Sequence, residues 1–294
     1  MSQRHPDVLH RFLIEGTAVR GVLVRLDESW RAIRGRSDYP PAVQRLLGEA
    51  MVATALLGGH TKVEGRLSLH LKGGESVRTV FAEYRHPGSL RGLAHWQDPV
   101  PAMLAPRDFG ASALLAITVE TDVPGESEPV RYQGLVGLDA PSLAQACEAY
   151  FSQSEQLPTR LIVIEHEDHA AGLLLQVMPG SNPNDEIWIE LGALLETIST
   201  QELIDLPAET LLYRLFHERG VRLVAEQSLA FSCTCSRERV ANMLRGLGED
   251  EAVAAIQGDL ASVMCEFCGQ NYQFDAIDIR ALFTTPMPDH ETPQ

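Results

Sequence analysis

The segment from Glu64 to Lys72 alternates between polar and hydrophobic residues, with Leu67, Leu69 and Leu71 on one face. Alternation with a period of two is typical of a β-strand that has one buried and one solvated face. Other short apolar segments bounded by turn residues predict six further strands, at Val19–Leu26, Val77–Tyr84, Leu114–Glu120, Val130–Leu138, Leu161–Glu165 and Gly172–Val177. Their tight connections favour a largely antiparallel sheet.

Two segments between these strands have apolar residues at helical spacing and predict helices. Pro41–Leu57 begins after a pair of prolines suited to the first turn of a helix, and Pro141–Phe151 repeats the pattern. The fold class we predict is therefore α+β, with residues 1–178 forming a large N-terminal α/β domain around a mostly antiparallel sheet.

A turn-rich stretch, Pro179 to Asn184, ends that domain. Residues 179–231 then form a helical linker, with amphipathic helices predicted at Ile187–Ile198 and Ala208–Glu218. The second helix carries an apolar stripe composed of Leu211, Leu212, Leu215 and Phe216. Three basic and nine acidic side chains on so short a region make a poor independent core, so we expect it to dock on another surface.

Residues 232–294 form a third part of 63 residues. Ser236 is placed to cap a helix that runs to Leu247, a short helix follows at Glu249–Ile256, and Tyr272–Phe274 is typical of a strand. A core alone is marginal at this size, and a structural metal is a common remedy.

Four cysteines lie in this third part as two close pairs separated by 29 residues: Cys233, Cys235, Cys265 and Cys268. A CxC or CxxC pair lets one turn present two thiolates to a single ion, so the spacing predicts a tetrahedral zinc site. Gly269 suits a knuckle that needs a positive φ. Four thiolates leave no position for a catalytic water, so the site is either permanently structural or a redox-sensitive switch, and the spacing leaves both open.

The remaining candidate ligands have ordinary explanations. Cys147 falls on the apolar stripe of a predicted helix and is interpreted as a small buried hydrophobic residue. His166 and His169 flank a short polar stretch that is typical of a solvated hairpin tip. His217 lacks the second histidine of a metalloprotease helix and is interpreted as a packing or surface residue.

A formal charge of −16 argues against a nucleic-acid partner, since phosphate binding requires clustered basic residues. The chain lacks GxSxG, GxGxxG and GxxxxGK[ST] motifs, so we expect neither a bound nucleotide nor an enzyme activity. We find no apolar run long enough for a signal peptide or a membrane span, and we expect a cytoplasmic protein.

Motifs along nearly the whole chain resemble the redox-regulated thirty-three-kilodalton heat-shock chaperone family of bacterial holdases. The matching segments are GRLSLHLKGG near residue 65, LRGLAH near 90, YQGLVGL near 132, YFSQSEQLPT near 150, LLLQVMPG near 173, LLYRLFHE near 211, FSCTCSRERV at 231 and CEFCGQNYQF at 265. The frame of a CxC followed by a CxxC within these surroundings is the most specific of them.

This resemblance implies that Cys233, Cys235, Cys265 and Cys268 bind one zinc ion in a reduced, inactive form. Oxidation is then expected to form the disulfides Cys233–Cys235 and Cys265–Cys268 and to release the zinc. The linker unfolds and the protein, as a homodimer, binds unfolding client proteins without ATP. The candidates for client binding are the stripe of Leu211, Leu212, Leu215 and Phe216 and the domain of residues 1–178, which is also the candidate for dimerisation.

Two other functions remain open from the residues alone. A thiol oxidoreductase would use one cysteine pair catalytically and would need an exposed, low-pKa thiol in a CxxC that opens a helix. A passive zinc-stabilised binding module would show no response to oxidants.

Overall fold

The structure is a computed structural model that describes residues 7–60, 64–110, 112–123, 125–126, 128–181 and 186–284. Its contacts divide the chain into two compact units, with the boundary between Ser232 and Cys233. The predicted third part begins within one residue of this boundary. The segment 179–231 belongs to the first unit by its contacts, and its separation from residues 1–178 as a functional linker stays a prediction. Pro179 to Ser181 of the predicted break are described, while Asn182 to Asn184 lie outside the described residues.

Eleven strands of the first unit form two sheets in the described chain. The strands are β1 Val8–Ile14, β2 Val19–Leu26, β3 Gly65–Lys72, β4 Val77–Arg85, β5 Ser89–Trp96, β6 Leu114–Thr121, β7 Val130–Gly137, β8 Thr159–His166, β9 His169–Val177, β10 Val221–Ser228 and β11 Ala230–Phe231. One sheet has the order β10-β1-β2-β9-β8, and the other has the order β11-β5-β4-β3-β6-β7. Every pairing is antiparallel except the short pairing of β11 with β5, so the predicted α+β class with a mostly antiparallel sheet is confirmed.

The helices of the first unit are α1 Glu28–Arg34, α2 Pro41–His60, α3 Leu143–Tyr150, α4 Glu186–Glu196, α5 Thr200–Asp205 and α6 Ala208–Phe216. A short 3-10 helix, Pro106–Phe109, and a π turn, Phe151–Glu155, complete it. Within the described residues, no helix is both long enough and apolar enough to span a membrane.

Helix α2 forms the centre of the first unit, because it packs against strands of both sheets. It runs three residues beyond the predicted end and is buried along most of its length. Its last turns contain Gly58 and Gly59, where an added Cβ would lie 2.2 Å from the ring of Tyr84 and 2.0 Å from Leu9. These glycines let both sheets approach the helix closely.

Helices α4 to α6 cover the opposite face of the first sheet. Their apolar residues form one buried cluster with strand residues such as Phe12, Leu23 and Leu173. The ring of Phe216 lies 6.2 Å from that of Phe12. The acidic region that we expected to dock is therefore docked on this sheet, which supplies the core that its own sequence lacks.

Strands β1, β5 and β10 were not predicted. β1 packs against apolar clusters on both of its faces, because Leu9 and Phe12 belong to different clusters. It also has a register shift between Arg11 and Phe12. Its apolar and polar residues therefore do not alternate with a period of two. β10 lies in the predicted helical linker region, beyond its second predicted helix, and pairs with β1 from Val221 to Ser228 along one edge of the sheet. Here long-range pairing determines the structure and local periodicity does not.

The second unit contains α7 Arg237–Leu247, α8 Glu249–Ala254, β12 Leu260–Met264, β13 Asn271–Asp275 and α9 Ala276–Thr284. Strands β12 and β13 form a two-stranded antiparallel sheet. The buried core of the described part consists of six residues, Ala241, Leu244, Ala252, Ala261, Phe274 and Ile279. Strand β12 and helix α9 were not predicted. So small a core supports the expectation of an additional stabilising element.

Candidate metal centre

The first cysteine pair leads directly into helix α7. Ser236 caps this helix as predicted, because its Oγ accepts a hydrogen bond from the backbone N–H of Arg239 at 3.3 Å. Cys233 and Cys235 therefore precede a fixed helix start, and the single residue between them turns both sulfurs toward the same space.

The second pair occupies the turn between β12 and β13. Gly269 adopts a φ of +72°, as the knuckle prediction requires, and its N–H donates to the carbonyl of Cys265 at 2.7 Å. The N–H of Cys265 donates to the carbonyl of Gln270 at 2.9 Å. These bonds close a tight loop around Cys265 and Cys268. Neither cysteine opens a helix, so the arrangement that an oxidoreductase would need is not found at this CxxC.

The four sulfurs converge, and all lie within 4.8 Å of one another. Sγ of Cys233 lies 3.6 Å from Sγ of Cys265, and Sγ of Cys235 lies 3.3 Å from Sγ of Cys268. A disulfide would bring two sulfurs to about 2 Å, and all four cysteines are free. Thiolates about 2.3 Å from a central tetrahedral ion lie about 3.8 Å apart. The sulfurs therefore have the spacing of a four-thiolate metal site, and the four cysteines could hold a metal ion.

Tyr272 supports this set from strand β13. Its hydroxyl donates a hydrogen bond to Sγ of Cys235 at 3.1 Å. Burial acts to raise the pKa of the Cys235 thiol, but hydrogen bonds from Tyr272 and the other cysteines lower it to about 7. Burial and the neighbouring thiols raise the pKa of Cys268 to about 12. The hydrogen bond from Tyr272 therefore favours the thiolate form of Cys235, which is the form that a metal ligand takes.

The two arginines beside the first pair have other partners. Arg237 donates to the carbonyl of Gln273 and to Asp278, both at 2.7 Å, and its guanidinium lies 4.2 Å from the centre of the Phe274 ring. Arg239 donates to the carbonyl of Thr234 at 2.6 Å. These bonds hold in place the backbone next to the four cysteines. Neither arginine has a described hydrogen bond to a sulfur.

Sequence patterns did not single out Tyr272 or the carbonyl of Thr234 as parts of the site. Tyr272 is 37 positions from Cys235, and only the folded β12–β13 hairpin brings the two together. The signal for this contact in the sequence is an aromatic residue four positions after Cys268, a pattern that by itself predicts only a strand.

The other cysteine and the histidines lie away from this cluster. Cys147 is fully buried, and burial raises its pKa to about 12, which agrees with a packing role. His166 and His169 close the β8–β9 hairpin as predicted, although Nδ1 of His169 also lies 2.7 Å from Asp27. His217 is exposed at the end of α6.

The candidate client-binding stripe is buried in this structure. Leu211, Leu212, Leu215 and Phe216 all face the first sheet, with exposed fractions of 9% or less. The stripe can therefore contact a client only after α6 leaves the sheet.

Comparison with known proteins places the chain among chaperones. The family model described as "Hsp33 protein" matches residues 7–275. The 33 kDa chaperonin of Nitrosococcus oceani is 42% identical over 279 residues, covering 95% of this chain and 94% of the relative. That of Shewanella denitrificans is also 42% identical, over 282 residues and 95% of each chain.

A solved structure shows the same fold. The crystal structure of the Thermotoga maritima 33 kDa chaperonin, an Hsp33 homologue, superposes with a TM-score of 0.75 at 20% identity, covering 95% of this chain and 98% of that one. The matched family model, the level of identity to its members and the shared fold agree, and the chain belongs to the Hsp33 family of chaperones.

Proposed function

We propose that this chaperone is a redox-regulated holdase of the cytoplasm that is switched by its four-cysteine centre. In the reduced state Cys233, Cys235, Cys265 and Cys268 hold one zinc ion, and the protein does not bind clients. Oxidation of the cysteines unfolds the second unit and activates client binding without ATP, with the active form a homodimer. The observation that carries this proposal is the convergence of four sulfurs in a unit whose described core has only six buried residues.

Zinc is the ion that best suits the donor set, because four soft thiolates in a closed tetrahedral arrangement favour it over calcium, magnesium or manganese. When bound, such an ion supplies about 10–16 kcal/mol of apparent folding free energy. The six-residue core could not replace that contribution, so the fold of the second unit depends on keeping the four thiolates reduced.

The oxidation step consumes the ligands. In each pair, two thiolates lose two electrons to one molecule of peroxide, which takes up two protons from the solvent, giving one disulfide and two molecules of water. We propose the pairs Cys233–Cys235 and Cys265–Cys268, which leave no thiolate for the metal. Sulfurs of different pairs also lie close together, at 3.6 Å and 3.3 Å, so peptide mapping of the oxidised protein is a direct test of this assignment.

Few hydrogen bonds attach the segment just before Cys233 to the rest of the first unit. Strand β11 has only two residues, and the N–H of Ser232 donates to the carbonyl of Leu90 at 3.0 Å immediately before Cys233. Once the second unit unfolds, this short pairing is the end of the ordered chain and frays easily. Loss of β11 frees the end of β10, and undocking can proceed from there into α6.

Undocking would convert buried surface into a binding surface. The stripe of Leu211, Leu212, Leu215 and Phe216 leaves the sheet, and its former partners, including Phe12 and Leu173, also become accessible. Contiguous apolar surface of this kind binds other exposed apolar chains. We therefore propose this stripe as part of the client-binding surface.

The experiment treats the reduced, zinc-loaded protein with hydrogen peroxide at raised temperature. A chromogenic chelator reports zinc release, and light scattering reports the aggregation of a thermally unfolding client. We expect the loss of four thiols and one zinc per chain to accompany suppression of aggregation. Release of zinc without suppression would contradict the proposed activation.

A matched control is the variant Cys147→Ala. This change removes the cysteine that lies outside the cluster, so zinc content and activation should match those of the wild type. Retention of zinc and unchanged helicity after peroxide treatment would instead favour a passive zinc-stabilised module. Catalytic reduction of insulin disulfides would favour an oxidoreductase.

A further inference from the structure

A cavity of about 760 Å³ lies in the first unit, beyond the C-terminal end of α2. The helix fills the space between the two sheets up to His60, and both sheets contribute residues to the cavity wall. Sites for small molecules typically have volumes of about 300–1,000 Å³. The cavity is therefore large enough for a small-molecule ligand.

One wall carries a positively charged group held by neutral partners. Nη2 of Arg20 lies 2.6 Å from Nε2 of His60 and 2.7 Å from Oε1 of Gln176. Nε of the same guanidinium is buried and has no hydrogen-bond partner among the described residues. The described side-chain hydrogen bonds of Arg20 thus go to neutral groups, and Arg20 itself belongs to the cavity lining.

The charge on Arg20 is not neutralised by the described protein. No carboxylate of the described residues forms an ion pair with it. Glu155, the acidic residue of the described lining, instead accepts a hydrogen bond from the Tyr150 hydroxyl at 3.4 Å.

His60 is a neutral partner of Arg20, and its Nε2 carries no proton that would oppose the hydrogen bond from the guanidinium. A guanidinium can only donate, so Nε2 of His60 must accept the bond from Arg20. Burial, followed by the neighbouring Arg20, lowers the pKa of His60 to about 4, which keeps its ring neutral near pH 7. Arg11, a second arginine of the lining, donates to the carbonyl of Gly59 at 2.5 Å and to Gln227 at 3.3 Å. The polar wall is therefore positively charged overall.

The other wall is aliphatic and aromatic. Leu67, Ile117 and Val119 face the cavity from β3 and β6, and Phe151 and Leu157 extend the apolar lining after α3. The cavity thus combines a cationic wall with an apolar wall, which suits a ligand with one anionic end and a hydrocarbon body.

We propose that this cavity binds a long-chain carboxylate of the fatty-acid class, with the carboxylate on Arg20 and the hydrocarbon chain along Leu67, Ile117 and Val119. A guanidinium on the cavity wall is well matched to a carboxylate, because a hydrogen bond between oppositely charged groups is stronger than one between neutral groups. Nothing in the metal centre or in the proposed redox switch requires this site.

The position of the cavity connects it to strand β10. Val224 and Ala225 of this strand belong to the lining. A bound ligand therefore contacts the edge strand of the first sheet and stabilises its docked position by mass action.

The test is a fluorescence titration of the reduced, zinc-loaded, full-length protein with cis-parinaric acid, followed by displacement with hexadecanoate or hexadecan-1-ol. We expect one saturable site per chain and displacement by the acid at a concentration at least about 10-fold lower than by the alcohol, because only the acid pairs with Arg20. Absence of saturable binding, or equal displacement by acid and alcohol, would overturn the proposal.

Variants locate the site. Arg20→Met removes the cation and should weaken hexadecanoate binding by about 10-fold to 100-fold. Val119→Trp fills the cavity from the apolar wall and should weaken both ligands. The control Arg107→Met changes an exposed arginine outside the lining and should have no effect. Wild-type affinity in a folded Arg20→Met protein would refute the assignment, and if that variant fails to fold, the Val119→Trp result and the acid-to-alcohol ratio decide.

Discussion

The two units of this chaperone are stabilised in different ways, although each contains cysteine. The first unit surrounds a long buried helix with two sheets, and its Cys147 is a fully buried packing residue with a raised pKa. The second unit has six buried residues in its described core and four half-buried cysteines that share one small space. Cysteine is thus a packing residue in the first unit, whereas in the second unit four cysteines lie together where few apolar side chains are buried. The comparison indicates that an oxidant should act on one unit and spare the other.

Metal removal gives the largest expected contrast. A strong zinc chelator under reducing conditions should abolish hydrogen-exchange protection in α7, α8 and α9, because the lost ligation is worth about 10–16 kcal/mol. Protection in α2 should persist. The readout is hydrogen exchange with mass spectrometry, and protection of α7 to α9 that survives chelation would mean that the six-residue core suffices.

A core substitution in the docked helices tests the stability of the first unit. Phe216→Ala should destabilise the packing of α6 by about 3–5 kcal/mol, since its ring is buried against Phe12. We expect faster exchange in α4 to α6 and greater binding of a hydrophobic dye by the reduced protein, with zinc content unchanged.

The control for that substitution lies on the same helix. Tyr213 is 70% exposed, so Tyr213→Ala should change stability by less than about 0.5 kcal/mol. If both variants undock α6 equally, the stripe does not hold the helix on the sheet.

Removal of the hydroxyl beside the cysteines should have a moderate effect. Tyr272→Phe deletes the hydrogen bond to Sγ of Cys235, and loss of such a supporting bond lowers metal affinity by about 10-fold to 100-fold. Competition with a chelator of known affinity measures the change. Tyr213→Phe is the control and should bind zinc as the wild type does, while an unchanged affinity in Tyr272→Phe would remove this hydroxyl from the site.

Acid should weaken the first unit through His60. Because its folded pKa is lowered from 6.5 to about 4, the unfolded chain takes up the proton first as the pH falls. The stability is therefore present above pH 6.5 and is lost between pH 6.5 and 4, amounting to about 1.4 kcal/mol between pH 7.5 and 5.5.

Urea unfolding followed by tryptophan fluorescence isolates this effect, because all three tryptophans, Trp30, Trp96 and Trp188, belong to the first unit. His60→Gln keeps an acceptor for Arg20 but cannot be protonated. Between pH 7.5 and 5.5, its free energy of unfolding should therefore fall by about 1.4 kcal/mol less than that of the wild type. An equal pH dependence in both proteins would show that His60 is not the titrating group.

Short sequence patterns predict those features of the candidate site that are formed by residues close together in the chain. The two cysteine pairs, the Ser236 cap and the need for a glycine at 269 follow from short-range geometry. The pairing of β10 with β1 and the contacts of Arg20 with His60 and Gln176 join residues far apart in the chain, and no period in the sequence encodes them. Tyr272 was missed for the same reason, although the cysteines that it supports were predicted.

The pairing of β1 with β10 has a consequence for synthesis on the ribosome. Val8 pairs with Ser228, and Ile14 pairs with Val221, so the second strand of this pair is made about 200 residues after the first. At about 5–20 residues per second, the outer edge of β1 waits for roughly 10–40 s before its partner exists. An unpaired edge is a template for other chains during that interval. The nascent protein therefore passes through a period in which its own edge strand is open to aggregation with other chains.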